Sequence, residues 1–141
     1  MTNTTRRDVL KYGGAFGAAL ATGTVARTAL AAGEPLKIGV AYVSPVAEIG
    51  WTKQHSLAVE AVQQKFGDRV KFTILDNIFN PQDAERVFRK FAVDGNKLIF
   101  GTSFSHGTPL QKVAPRFPKT AFAHCSGIVH LANLGTFEAK Y

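Results

Sequence analysis

Residues 36–43 read LKIGVAYV, a nearly continuous apolar run that lies between Pro35 and the Ser44-Pro45 pair. Runs of this kind are typical of parallel strands buried on both faces, whereas strands with one wet face alternate apolar and polar residues. We therefore predict the first strand of a parallel sheet at this position.

Strand and helix patterns alternate from this run to the end of the sequence. A helix is predicted from Trp51 to Phe66, where Gly67 ends it. Its predicted buried face consists of Leu57, Ala58, Ala61, Val62 and Phe66. Residues 70–75 read VKFTIL, which has more polar character and predicts a second strand nearer an edge of the sheet.

The second predicted helix has the clearest signals at both ends. Asn80 is suited to the N-cap, and Pro81 is suited to the first helical position. Asp83 is favourable at the positive end of the helix dipole. Gly95 ends a helical stripe formed by Ala84, Val87, Phe88, Phe91 and Ala92. The pattern continues with a third strand at 97–101 and with a helix that Thr108-Pro109 caps and that runs to about Phe117. Strands at 120–125 and 133–137 complete it. This alternation predicts an α/β fold with a doubly wound parallel sheet.

The first 31 residues read as an export signal and the remaining 32–141 as the folded domain. Arg6 and Arg7 lie in a segment similar to the twin-arginine export consensus, and a Gly- and Ala-rich stretch follows. Ala29 and Ala31 form an A-x-A site, so we expect cleavage after Ala31 and a protein in the periplasm. An uncleaved membrane anchor is disfavoured because Arg27 interrupts the apolar stretch.

Charge and cysteine content narrow the possible partners. The formal net charge is +7, but four of the seventeen Lys and Arg residues lie in the first 31 residues. The other charges are interspersed, so a solvated surface is favoured over a nucleic-acid interface. The single cysteine, Cys125, is expected to be a small buried side chain and not a nucleophile.

Ligands of doubly wound sheets bind beyond the carboxyl ends of the strands, which directs attention to loops 44–50, 76–80, 102–107 and 126–131. These loops carry Glu48 before Trp51, then Asp76 and Asn77, then the run Ser103, Phe104, Ser105 and His106, then Ser126 and His130. Trp51 could stack on a planar solute or pack on the sheet, with neither favoured, and core packing is slightly favoured for Phe104. Glu48 or Asp76 could accept hydrogen bonds from sugar hydroxyls or a ring N–H.

Neither a metal site nor a reaction is indicated. No two of the four histidines have the i, i+4 spacing of a helical zinc motif. The sequence lacks a G-x-G-x-x-G motif, a P-loop and the second glycine of a nucleophile elbow. We therefore expect no catalytic residue, cofactor or bound metal.

Five segments in order give the chain a family resemblance. They read KIGVAYVSP (37–45), GWTKQH (50–55), DAERV (83–87), GNKLIFGTSF (95–104) and NLGT (133–136). Together they are similar to the basic membrane protein family of ABC-transporter solute-binding proteins, which includes purine nucleoside receptors. The resemblance implies a type I periplasmic-binding fold, in which two Rossmann-like lobes close on a solute without catalysis. Because the family's proteins are longer, it also implies that this chain is an N-terminal lobe without the second lobe.

The same resemblance implies contact residues and a partner. Glu48, Trp51 and Thr52 match positions where many members contact the solute with Asp, then Phe-Asn, and residues 103–105 match a second contact segment. Trp51 retains a stacking ring, but Thr52 replaces an amide that could read a base edge. The implied function is capture of a nucleoside- or nucleobase-like solute for an ABC permease in the inner membrane. The alternatives are a sensory binding protein and, less favoured, an exported α/β hydrolase or nucleosidase.

Overall fold

The computed structural model describes residues 33–138, which form a five-stranded parallel sheet in the order β2-β1-β3-β4-β5. The strands are β1 (Leu36–Ala41), β2 (Val70–Leu75), β3 (Leu98–Gly101), β4 (Ala121–Cys125) and β5 (Leu134–Phe137). The helices are α1 (Trp51–Phe66), α2 (Pro81–Val93) and α3 (Gly107–Val113), with short 3₁₀ turns at Gly67–Arg69, Phe104–His106 and Ala114–Arg116. Every strand pair is parallel. The predicted doubly wound α/β fold is confirmed, and β2 is an edge strand as expected.

Helix α2 forms as the sequence signals indicate. The Asn80 side chain accepts a hydrogen bond from the Gln82 backbone N–H at 2.8 Å, and Pro81 is the first helical residue. The apolar stripe of α2, together with helix α3, covers one face of the sheet. The core on that face contains Ala41, Ala84, Phe88, Phe91, Ile99, Leu110, Val113, Ala114, Phe122 and Leu134. This larger core anchors β1, β3 and β4 from one side.

The opposite face of the sheet is packed less closely. A cavity of about 330 Å³ separates part of α1 from the sheet, and apolar side chains such as Val62, Phe72 and Phe100 line it. The buried face predicted for α1 is therefore wrong in part: Leu57, Ala58, Ala61 and Phe66 are exposed. Helical spacing showed which side chains share a face, but α1 packs on the sheet through Val59 and leaves a cavity beside Val62.

Helix α3 also differs from its prediction. The chain turns helically at Phe104, and Ser103 caps this turn by accepting from the Ser105 backbone N–H at 3.4 Å. Thr108 therefore lies inside the first turn of α3 and caps nothing. The regular helix ends at Val113, two residues before Pro115, which has no backbone N–H to continue it.

The predicted signal peptide, its twin-arginine motif and its cleavage site lie outside the described residues. Within residues 33–138, none of the helices has the length and apolar character needed to cross a membrane. Cys125 is buried, as predicted.

Candidate functional site

The parallel strands bring four loops to one edge of the sheet, which we call the carboxyl edge. It comprises residues 42–50, 76–80, 102–106 and 126–133, each directly after a strand. All eight residues predicted to contact a ligand lie in these loops or in the first turn of α1. The topology therefore places the whole candidate set on the same side of the sheet.

The first loop is tied down where it enters α1. Gly50 precedes the helix with φ +103°, a conformation that favours glycine. Thr52 is buried, and its hydroxyl lies 2.7 Å from the Ser44 hydroxyl. The Trp51 indole N–H donates to the Thr102 carbonyl at 2.5 Å, and its ring packs edge-on against His55 with centroids 5.3 Å apart. Trp51 thus packs on the end of β3 while lying at the carboxyl edge.

The second loop presents two polar side chains to solvent. Asp76 and Asn77 are exposed, and Asn77 has a left-handed backbone with φ 57°. The next residue, Ile78, donates its N–H to the Tyr42 carbonyl at 2.9 Å, which fixes this loop against the end of β1. Neither Asp76 nor Glu48 forms a hydrogen bond or ion pair with another described residue. Both carboxylates are therefore available to a ligand.

The third loop holds two serines and an outward-facing ring. The Ser103 and Ser105 hydroxyls lie 3.1 Å apart, and both residues are half-buried. Phe104 is 71% exposed, so the preference for core packing at this residue was wrong. The reason is the Ser103 cap, which turns the backbone helically so that Phe104 projects away from the core.

Large apolar side chains are exposed on each of the four loops, and sequence reasoning missed most of them. Their exposed fractions are 85% for Ile49, 71% for Phe79 and 84% for Ile128, in addition to Phe104. Solvent exposure of several large apolar groups along one edge marks a binding surface more often than single scattered residues do. Their signal in the sequence was an isolated apolar residue within an otherwise polar or glycine-containing loop.

Two buried histidines bridge these loops. The His106 Nε2 lies 2.7 Å from the Ile78 carbonyl, and the His124 Nε2 lies 2.9 Å from the Ser103 carbonyl. Burial lowers the pKa of His106, and the nearby His124 lowers it further, against an opposing effect of the bond to Ile78. Burial also lowers the pKa of His55. The sequence offered no signal for these bridges beyond the presence of the histidines themselves.

Metal chemistry has no support in the part of the chain that the structure describes. No group of three or more His, Cys, Asp or Glu side chains there is placed to hold a metal ion. The predicted contact residues of the carboxyl edge offer carboxylates, an amide and hydroxyls, beside exposed apolar groups. This combination suits reversible binding of a small organic molecule that has a flat apolar face and hydrogen-bonding groups.

The sheet order and the position of the candidate site define a doubly wound α/β lobe with its binding loops at the carboxyl edge. The same fold occurs in a solved ABC transporter solute-binding protein of Conexibacter woesei, with a TM-score of 0.64 and 22% sequence identity. That match covers 73% of this chain and 35% of the solved chain, which fits a single lobe.

The family follows from the sequence comparison. The profile of the Bmp family, described as ABC transporter substrate-binding protein PnrA-like, matches residues 36–140. The chain belongs to this family of substrate-binding proteins, and the predicted resemblance is confirmed.

Two curated relatives align over 108 residues, which is 77% of this chain. A purine-binding protein of Brucella abortus is 40% identical to this chain. A Haloferax volcanii protein, named as a proposed ABC transporter glucose-binding protein, is 31% identical. This chain spans 31% and 27% of their respective lengths.

Proposed function

We propose that this protein is the solute-binding component of an ABC importer and that it captures a nucleoside- or nucleobase-like molecule without chemical change. The observation that carries the proposal is the carboxyl edge, where Trp51 and the exposed Phe104 lie among the unpaired carboxylates of Glu48 and Asp76 and the paired hydroxyls of Ser103 and Ser105. Aromatic rings bind planar solutes by stacking, and a few polar groups then fix their orientation.

Each predicted contact residue has a role in this proposal. Trp51 and Phe104 provide flat faces for a base. Glu48 and Asp76 accept hydrogen bonds from ribose hydroxyls or a ring N–H, and Asn77 can donate and accept. Ser103 and Ser105 offer hydroxyls beside Phe104. Thr52 is buried, and it contributes by holding the Ser44 loop.

The solute class is the first point to test. The purine-binding relative supports a purine base or nucleoside, and the relative with a glucose-binding name makes a hexose the natural competitor. A sugar alone would use the carboxylates but would gain less from the half-buried ring of Trp51 and the exposed ring of Phe104. The aromatic side chains therefore favour the purine.

A thermal-shift screen of the purified full chain against adenosine, guanosine, hypoxanthine, adenine and glucose distinguishes these solutes. A compound at about 100 times its Kd stabilises the folded state by roughly 2.7 kcal/mol, which is a readily measured shift. We expect a purine to give the largest shift and to be recovered unchanged by chromatography. A shift with glucose alone would replace the purine assignment, and no shift with any of them would remove it.

We also propose export to the periplasm through the twin-arginine pathway and docking on an inner-membrane permease. The Arg6-Arg7 pair and the A-x-A site at residues 29–31 support export. Replacing both arginines with lysine conserves charge, so it tests the motif itself. We expect uncleaved precursor in the cytosol. Unchanged delivery of the processed chain to the periplasm would rule out this route.

A further inference from the structure

Two buried histidines connect the backbones of the loops that carry the proposed contacts. His106 is 0% exposed and His124 is 3% exposed. Each places its Nε2 near a backbone carbonyl of another segment: Ile78 at 2.7 Å for His106 and Ser103 at 2.9 Å for His124. A carbonyl oxygen can only accept a hydrogen bond, so both Nε2 atoms carry a hydrogen and donate it.

The two carbonyls lie beside exposed residues of the carboxyl edge. Ile78 separates Asn77 from Phe79, and Ser103 directly precedes Phe104. His106 itself ends the 3₁₀ turn that contains Phe104. The His106 bond therefore ties the second loop to the third, and the His124 bond ties the third loop to β4.

Both histidines are closely packed by their neighbours. The His106 ring packs edge-on against Phe88 with centroids 5.4 Å apart, and a Cβ added at Gly101 would lie 3.0 Å from His106 Cβ. Two glycines lie close to the His124 ring: an added Cβ would be 2.7 Å from its Cε1 at Gly107 and 2.2 Å from its Nδ1 at Gly127. Tight packing of this kind holds both donors in one orientation.

We infer that His106 and His124 are positioning residues of the solute site: His106 sets the spacing between the Asn77–Phe79 and Ser103–Ser105 segments by donating to the Ile78 carbonyl, and His124 holds the Ser103–Ser105 segment against β4 by donating to the Ser103 carbonyl. This inference rests on the proposed function. It assigns to the histidines a role that needs no metal and no contact with the solute. Their Nε2–H groups act through backbone atoms, whereas the exposed side chains contact the ligand.

Glutamine and leucine variants separate the donor from the bulk of the ring. In His106→Gln the side-chain amide nitrogen is as many bonds from Cβ as the imidazole Nε2, so it can donate to Ile78. His106→Leu fills much of the same space and leaves that carbonyl without a donor. His124→Gln and His124→Leu form the second pair. All four are made in the full chain.

The first readout is affinity for adenosine, or for glucose if only the sugar binds, by isothermal titration calorimetry. We expect the leucine variants to lose about tenfold or more, as an unsatisfied carbonyl distorts the loops, and the glutamine variants to stay within about threefold of the parent. A folded leucine variant with parental affinity, or equal losses in both members of a pair, would overturn the inference.

The second readout needs no ligand and measures the loops themselves. Amide hydrogen exchange in residues 77–79 should be faster in His106→Leu than in His106→Gln, and residues 103–105 should respond in the same way to the His124 pair. Equal exchange within both pairs would refute the inference. If the parent binds no probe, the proposed function fails, and the exchange comparison still decides whether the histidines hold the loops.

Discussion

The substitution Gly127→Ala is the sharpest test of how His124 is held. A Cβ at Gly127 would lie 2.2 Å from His124 Nδ1 and 2.9 Å from Thr136 Cγ2, and both distances are too short for carbon in van der Waals contact. Gly107 also lies close to this ring, at the adjacent Cε1, so a second neighbour limits where the ring can go. The new methyl group must therefore displace the imidazole or the backbone.

The expected loss of stability has two parts. Overfilling a tightly packed site costs about 1–3 kcal/mol. Displacing the ring also removes the donor to the Ser103 carbonyl, which adds about 1 kcal/mol. We expect a total of about 2–4 kcal/mol, which corresponds to a fall in Tm of at least about 8 °C for a domain of this size.

Gly135→Ala is the matched control, because a Cβ at Gly135 in β5 would have no atom within 4 Å. It should leave the stability unchanged or raise it by about 0.4–1 kcal/mol through the unfolded state. Thermal and urea unfolding of both variants, followed by circular dichroism, gives the comparison. If Gly127→Ala unfolds at the same temperature as Gly135→Ala, His124 is not packed against Gly127 as closely as the distances indicate.

Three further predictions concern the site and the fold. Trp51→Ala should weaken adenosine binding by about 1–3 kcal/mol and Trp51→Phe by less, measured by calorimetry, and parental affinity in both would make Trp51 purely structural. Below pH about 6.5 the unfolded chain takes up protons that the buried His106 and the half-buried His55 resist in the folded state. Stability should therefore fall with pH, by up to about 1.4 kcal/mol per pH unit for His106 and by less for His55. Urea titrations should show a shallower fall in His106→Gln, and an unchanged slope would contradict the lowered pKa. Asn80→Ala should cost about 1 kcal/mol in urea unfolding while Asn80→Asp costs little, and equal values would show that the cap is unimportant.

Sequence reasoning predicted the order and type of the elements because each has a local cause. Asn80, Pro81 and Gly95 bound α2 through hydrogen bonds and dihedral preferences that act within a few residues. The apolar face of α1 was less predictable, because spacing along a helix does not determine the distance between the helix and the sheet. The cavity beside Val62 is a property of tertiary packing.

The candidate site was predictable in location but only partly in detail. Parallel strands carry their loops to one edge, so topology alone placed Asp76 and Ser103 there. The contacts of the histidines were not predictable, since His106 bonds a carbonyl 28 residues away and His124 one 21 residues away. These contacts have no metal-type sequence motif, because the partners of both histidines are backbone carbonyls.

The carboxyl edge thus has two layers with different consequences for binding. Bonds such as those from Trp51 to Thr102 and from His106 to Ile78 order the loops before a solute arrives, which lowers the entropic cost of binding. Exposed groups such as Asp76 can discriminate between solutes, because they remain unpaired until one binds. Replacing Asp76 with Asn should therefore change the ratio of adenosine to glucose affinity, whereas His106→Leu should weaken every solute that binds by a similar factor. A selective effect of His106→Leu on one solute would place that histidine in direct contact with the ligand and remove the distinction between the layers.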